Sequence, residues 1–180
     1  EAPCVAVLHR DDPLTHEAVL PIARLAAQPV ATLANRYRLR NRIDRAFGQA
    51  GVALHVALET NASLNAMMAA QQKLGVAIVD PVTAFGLRLA DLEVRPLDVS
   101  IAFLYGVVTL SGRPRSGAVD AMIETLADVS HALLPGAVRH EASQHGALVA
   151  HDRADSTDHA DSAGEHTRSS STHRDPGVSA

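Results

Sequence analysis

Leu74-Gly75-Val76-Ala77-Ile78-Val79-Asp80-Pro81-Val82-Thr83 is the stretch around which the chain is organised. Four apolar residues in a row, Val76 to Val79, suit a strand buried on both faces, as in a parallel sheet covered by helices. Pro81 cannot donate to a sheet ladder, so the backbone leaves the sheet there. The Asp80 carboxylate and the Thr83 hydroxyl are then delivered to the strand's C-terminal edge, where open α/β sheets bind small molecules.

Working outward, Val52 to Glu59 is strand-like, and Thr60, Asn61 and Ser63 are candidate N-caps for a helix with its stripe at Leu64, Met67, Met68 and Leu74. Upstream, Leu39, Ile43, Ala46, Phe47 and Ala50 form one apolar stripe on a helix over Arg36–Ala50, with Asn35 as its N-cap and Gly51 as its stop. Its other face carries Arg36, Arg38, Arg40, Arg42 and Arg45. A solvated helix face is the common reason for such a pattern, and an anionic neighbour of Arg36 and Arg38 is the sharper one. Before that, Val30 to Leu33 reads as a strand, Ile22 to Ala27 as a short helix stopped by Pro29, and His9 to Pro21 as a crossover turning at Asp12-Pro13. Cys4 to Leu8 reads as a strand at which the sequence begins without Met, as expected of a fragment. Downstream, Val82 to Gly86 reads as a short helix or turn. Val94 to Leu97 and Ile101 to Leu110 read as strands, and Ser116 caps a helix with its stripe at Val119, Met122, Ile123, Leu126 and Leu133. Strands alternating with helices predict an α/β fold with a mainly parallel sheet.

Composition narrows the function. The chain has 180 residues, 47% of them apolar, enough for one core. With 3% aromatics and no Trp it lacks the stacking surfaces that bind single-stranded nucleic acid, and a net charge of -4 argues against a general polyanion binder. The single cysteine, Cys4, sits in an apolar run and reads as a small buried hydrophobe. No apolar run reaches the roughly 18 residues of a membrane span, and there is no basic-then-apolar leader, so the expected setting is cytoplasmic, without a membrane partner.

From Arg139 onward the composition changes. This tail holds six of the ten histidines, and Val178 is its one large apolar residue beyond Val149. It cannot bury enough apolar surface to offset its ordering entropy and is expected to be disordered. Its histidines lack ligand spacing: His140-Glu141 and His145 are one residue too far apart for the H-E-x-x-H pattern of zinc proteases. No metal or cofactor is expected.

Catalytic signatures are missing as well. There is no G-x-S-x-G elbow, no G-x-G-x-x-G after a strand and no phosphate-binding G-x-x-x-x-G-K loop. Asp80 with His55 or His131 is a conceivable acid/base pair that nothing in the spacing joins. A binding module fits better. Three loops, Leu33 to Arg36, Thr60 to Ser63 and Asp80 to Thr83, would lie at one sheet edge and offer hydroxyls, an amide and helix N-termini to a small carboxylate or amino acid.

The runs A-R-L-A-A-Q-P-V-A-T-L (23–33), R-L-R-N-R-I-D-R-A-F-G-Q-A-G-V (38–52), L-E-T-N-A-S-L-N-A-M-M (58–68) and L-G-V-A-I-V-D-P-V-T-A (74–84), in that order, resemble the effector-binding domain of LysR-type transcriptional regulators. The resemblance spans about residues 3 to 134. It implies a type 2 periplasmic-binding-protein-like α/β fold, with two Rossmann-like lobes and a small-molecule effector in the cleft between them. Here that means one complete lobe plus part of a second. Residues 1–21 would be a remnant of lobe I and the crossover, 22–98 lobe II, 99–136 the return to lobe I, and 137–180 the tail. By position, Thr60, Asn61 and Ala62 match the effector-contacting loop, Val79 and Asp80 the neighbouring strand end, and Thr32 is a further candidate. The implied protein is a homodimer or homotetramer that meets DNA only through an N-terminal winged helix-turn-helix absent from this chain. One departure is Lys73, where the family usually has the first Gly of G-L-G. A stand-alone solute-binding protein of the same fold is the alternative, and a small α/β enzyme the third reading.

Overall fold

Among the residues that the computed structural model describes (1–34, 39–110, 112 and 114–140), seven strands and four α-helices succeed one another. The strands are β1 (Ala2–Pro3), β2 (Val5–His9), β3 (Val30–Leu33), β4 (Val56–Thr60), β5 (Val76–Val79), β6 (Leu92–Pro96) and β7 (Ala102–Phe103). The helices are α1 (Leu39–Gln49), α2 (Ser63–Gln71), α3 (Pro81–Gly86) and α4 (Gly117–Leu133), with short 3-10 turns at Pro13–His16 and Ile22–Ala27.

β5 is the middle strand of a five-stranded sheet ordered β4-β3-β5-β2-β6. All four of its residues are buried. β3 runs parallel to β4 and β5, while β2 is reversed against both β5 and β6. Period-two alternation then divides the core into two faces. On one, Ala6, Leu8, Val30, Val76 and Ile78 pack with Leu25, Ile43 and Phe47. On the other, Val5, Val7, Ala31, Ala77 and Val79 pack with Ala66, Met67, Ala70 and Ala84. Each large apolar side chain fully buried in these layers contributes about 1.5–3 kcal/mol.

The second face is built on small residues. Ala31 and Ala77 leave no bulk on the sheet, so α2 approaches through Ala66, Ala69 and Ala70, with Met67 the one large residue of that face. The stripe expected from Leu64, Met67, Met68 and Leu74 therefore holds only at Met67. Leu64, Met68 and Leu74 are 37%, 51% and 60% exposed.

Three other expectations are corrected. Residues 1–21, assigned from sequence to a different lobe from 22–98, contain β2, whose Val5, Ala6 and Val7 pair with Val79, Ile78 and Ala77 of β5. A fully apolar run of that kind needs cover on both faces, and the middle of this sheet supplies it. The strand expected over Ile101–Leu110 is reduced to Ala102–Phe103, paired with Ala2–Pro3. Beyond it no ladder partner exists among the described residues, and Val108 is 95% exposed. The arginine face of α1 is not wholly solvated: Arg40 is buried, donating from Nε to Asp44 at 2.8 Å and from Nη1 to Glu59 of β4. Residues 35–38, with the Asn35 cap and the anionic neighbour considered for Arg36 and Arg38, lie outside the described residues, as does the tail from 141 onward.

The helix ends follow local chemistry. Gly51, at φ +66°, closes α1 with the Val52 amide donating to the Phe47 carbonyl at 2.9 Å. Lys73 takes the same left-handed position after α2 at φ +59°, and the Leu74 amide donates to Ala69 at 3.0 Å. The left-handed helix stop that glycine takes without strain is thus made here by a lysine.

Candidate functional site

Because β3, β4 and β5 run the same way, their C-terminal ends meet at one edge of the sheet. Leu33 is in register with Thr60, and the Ala34 amide donates to the Thr60 carbonyl at 2.8 Å. Val79 is in register with Val5, at the start of the reversed β2. Immediately before Val5, the Cys4 amide donates to the Ile101 carbonyl at 2.8 Å. The edge therefore abuts the two-stranded ribbon of β1 and β7, by which the chain enters and leaves the five-stranded sheet.

The six residues singled out from sequence all lie on this edge. The turn Thr60-Asn61-Ala62 joins β4 to α2. Asn61 is exposed, Thr60 half-buried, and the Thr60 hydroxyl oxygen accepts weakly from the Ala62 amide at 3.4 Å. Ala62 is the N-cap of α2, and no side chain caps that helix start. Thr60, Asn61 and Ser63 were each a candidate cap; the position falls to a residue that cannot serve, leaving the first amides of α2 without a side-chain cap.

Asp80 is arranged differently. Its carboxylate accepts from the Ser63 hydroxyl at 2.5 Å, from the Thr83 amide at 2.8 Å and from the Thr83 hydroxyl at 3.0 Å. It is the N-cap of α3, next to Pro81 in the first turn where proline is tolerated. The group is 7% exposed. Such a carboxylate ties the start of α2 to the start of α3 and has little left to offer a ligand. Val79, fully buried, supplies backbone and packing at the strand end.

Thr32 lies one residue from the end of β3 and is fully buried, and its hydroxyl has no hydrogen-bond partner among the described residues. A buried orphan hydroxyl costs about 1–3 kcal/mol and is uncommon in a settled core. Two further residues of the edge were not singled out from sequence. The Arg42 guanidinium of α1 donates from Nη1 to the Ala102 carbonyl of β7, fastening the helix to the ribbon. Cys4, 1% exposed, has its thiol pushed up to about 12, chiefly by burial, with Asp80 adding to the effect and Arg42 opposing it. Nothing in the local sequence signals the Arg42 contact, since it joins residues 60 apart.

The family model for the LysR substrate binding domain matches residues 1–130. The chain belongs to the LysR substrate-binding-domain family. Its fold is the α/β, type 2 periplasmic-binding-protein-like fold of such LysR domains. Among solved structures it is similar to the regulatory domain of CcmR from Synechocystis PCC6803 in complex with 2-PG, at 19% identity and a TM-score of 0.53. That match covers 72% of this chain and 63% of the other. It is similar too to the BenM effector binding domain with its effector benzoate, at 13% identity and a TM-score of 0.52, over 78% of this chain and 66% of that one. The cofactor-binding domain of the Cbl transcriptional regulator matches at 20% identity and a TM-score of 0.50, over 74% and 62%. This LysR domain thus spans less than two thirds of the CcmR domain. No curated protein sequence matches it. Among the described residues no helix is long and apolar enough to cross a membrane.

Proposed function

We propose that the edge formed by the ends of β3, β4 and β5 holds a small organic acid or amino acid, and that the domain senses this effector for a LysR-type transcriptional regulator. One observation carries the reading: the unpartnered, fully buried hydroxyl of Thr32 shares a sheet edge with an uncapped helix start. A carboxylate satisfies such a helix end, and a ligand oxygen or amine satisfies the hydroxyl. BenM's domain, of the same fold, is named with benzoate, a small carboxylate, and the chemistry offered here suits that class.

Within this reading Thr60, Asn61, Ala62 and Thr32 face the effector, while Val79 and Asp80 frame it, Asp80 by positioning Ser63. The second wall of the cleft comes from the other lobe, to which residues 99–136 return. The ribbon of β1 and β7 is the connection that ligand binding moves, shifting the population between two lobe arrangements and so the geometry of a homodimer or homotetramer. Contact with DNA belongs to a winged helix outside these residues. The domain performs no chemistry of its own, and its setting is the cytoplasm.

The test is the double substitution Thr60→Ala/Asn61→Ala in the complete regulator. Effector response should disappear while DNA binding without effector stays unchanged. Induction at the wild-type level would overturn the assignment.

A further inference from the structure

Away from that edge, a hollow of about 330 Å³ opens on the α2 face of the sheet, between α3, the segment joining it to β6, and the surface of β2 and β6. α2 and α3 cover this face over β3, β5 and part of β2, and among the described residues neither extends over β6 in the same way. The floor is Val7, Met67 and Ala84, each at most 3% exposed, and the walls include Leu89 and Val94. The segment between α3 and β6 is fastened beside the hollow at Ala90 and Asp91. Gln71 Nε2 of α2 donates to the Ala90 carbonyl at 2.9 Å, and the Arg10 amide donates to the Asp91 carbonyl at 2.8 Å. The Arg10 guanidinium lies 2.6 Å from the Asp91 carboxylate.

Two charged residues line it, Arg88 and Glu93. The Glu93 carboxylate is engaged by Arg95 Nη1 at 3.0 Å, and Arg95 is anchored to the Thr15 carbonyl at 3.0 and 2.8 Å. Arg88 makes no ion pair with the described residues. An apolar floor with one uncompensated guanidinium at its mouth matches an anion carrying an apolar body, since the floor gains from burial and the fork of Arg88 from a carboxylate. Volume agrees, because sites for small molecules start at about 300 Å³.

We propose that this hollow is a second ligand site, for a small amphiphilic carboxylate such as a medium-chain fatty acid. The site is separate from the strand-end edge. Val7 on its floor is two residues along β2 from Val5, and Leu92 is in register with His9, four residues along, so the hollow runs from roughly 7 to 13 Å from the Val79 end. Met67 lends the floor an adaptable thioether, suited to an alkyl chain without fixed shape.

The test titrates the 180-residue chain with octanoate and, separately, with 1-octanol, following methyl resonances by NMR. Octanoate should shift Met67, Leu89 and Val94 and bind at least about fivefold tighter than octanol. Arg88→Gln, an exposed position that leaves the core intact, should remove that preference while octanol binding stays the same. Thr60→Ala/Asn61→Ala should leave octanoate binding unchanged, so loss of the effector reading would not touch this one. Equal affinity for the two probes, an unaltered preference in Arg88→Gln, shifts confined to residues 60–63 and 80–83, or no binding up to about 10 mM would each overturn the proposal.

Discussion

The carboxylate of Asp80 accepts three hydrogen bonds inside the protein, and this decides what that residue can do. From sequence, an aspartate followed by proline at the end of an apolar run is legible as a strand terminus and helix cap. Its bond to Ser63, 17 residues away, is not, because no local pattern specifies which hydroxyl comes to face it. Lys73 is a comparable case. From sequence it is only a departure from the resembled G-L-G; the structure puts it in the left-handed region at φ +59°, which costs about 1 kcal/mol for a side chain and is partly offset by the exposed Lys73–Asp11 ion pair at 2.9 Å. At Cys4 the consequence is a pH dependence. Its thiol ionises near 8.5 in an unfolded chain but is pushed up to about 12 here. A raised acid pKa favours the folded state fully below the unfolded value, and that contribution falls away as pH rises toward 12. Between pH 8 and 10 the thiol should remove about 1–2 kcal/mol of stability. Urea unfolding of wild type and Cys4→Ala at both values checks this. The variant should lose less stability over the interval, and an identical loss would show that Cys4 does not titrate differently on folding.

At the scale of elements, periodicity served where the buried residues are large and failed where they are small. The stripe of α1 was readable because its large apolar residues, Leu39, Ile43 and Phe47, are buried, although Arg40 is buried beside them. The stripe of α2 was misread because its contact face is alanine, chosen by the shallow surface of Ala31 and Ala77 rather than by hydropathy. In α4 the stripe and the Ser116 cap both appear, but none of its residues is buried among the described residues. A paired substitution separates these cases. Ile43→Ala, emptying a fully buried position, should cost about 2–5 kcal/mol in denaturant unfolding. Leu126→Ala, 46% exposed on α4, should change stability by no more than about 0.5 kcal/mol in this chain. Similar losses at both would mean that α4 is packed in solution.

For the whole molecule, the central place of β5 and its double cover followed from four apolar residues and a proline. The position of β2 did not follow, since a short apolar run carries no record of which sheet receives it, and its antiparallel pairing with β5 joins residues 70 or more apart. The ribbon of β1 and β7 is equally non-local. The Arg42 guanidinium holds it to α1, and the Cys4–Ile101 backbone bond sets it beside the strand-end edge. That continuity is how occupancy of the edge would reach the rest of a regulator.

If the domain is a sensor, its strand-end edge receives a small acid. Amide NMR of the chain titrated with amino acids and short carboxylates lacking an alkyl tail tests it most directly. At least one of them should shift the amides of Thr60 to Ser63 together with those of Asp80 to Thr83, because the Ser63–Asp80 bond couples the two turns. Shifts confined to other parts of the chain, or none in the entire series, would contradict it.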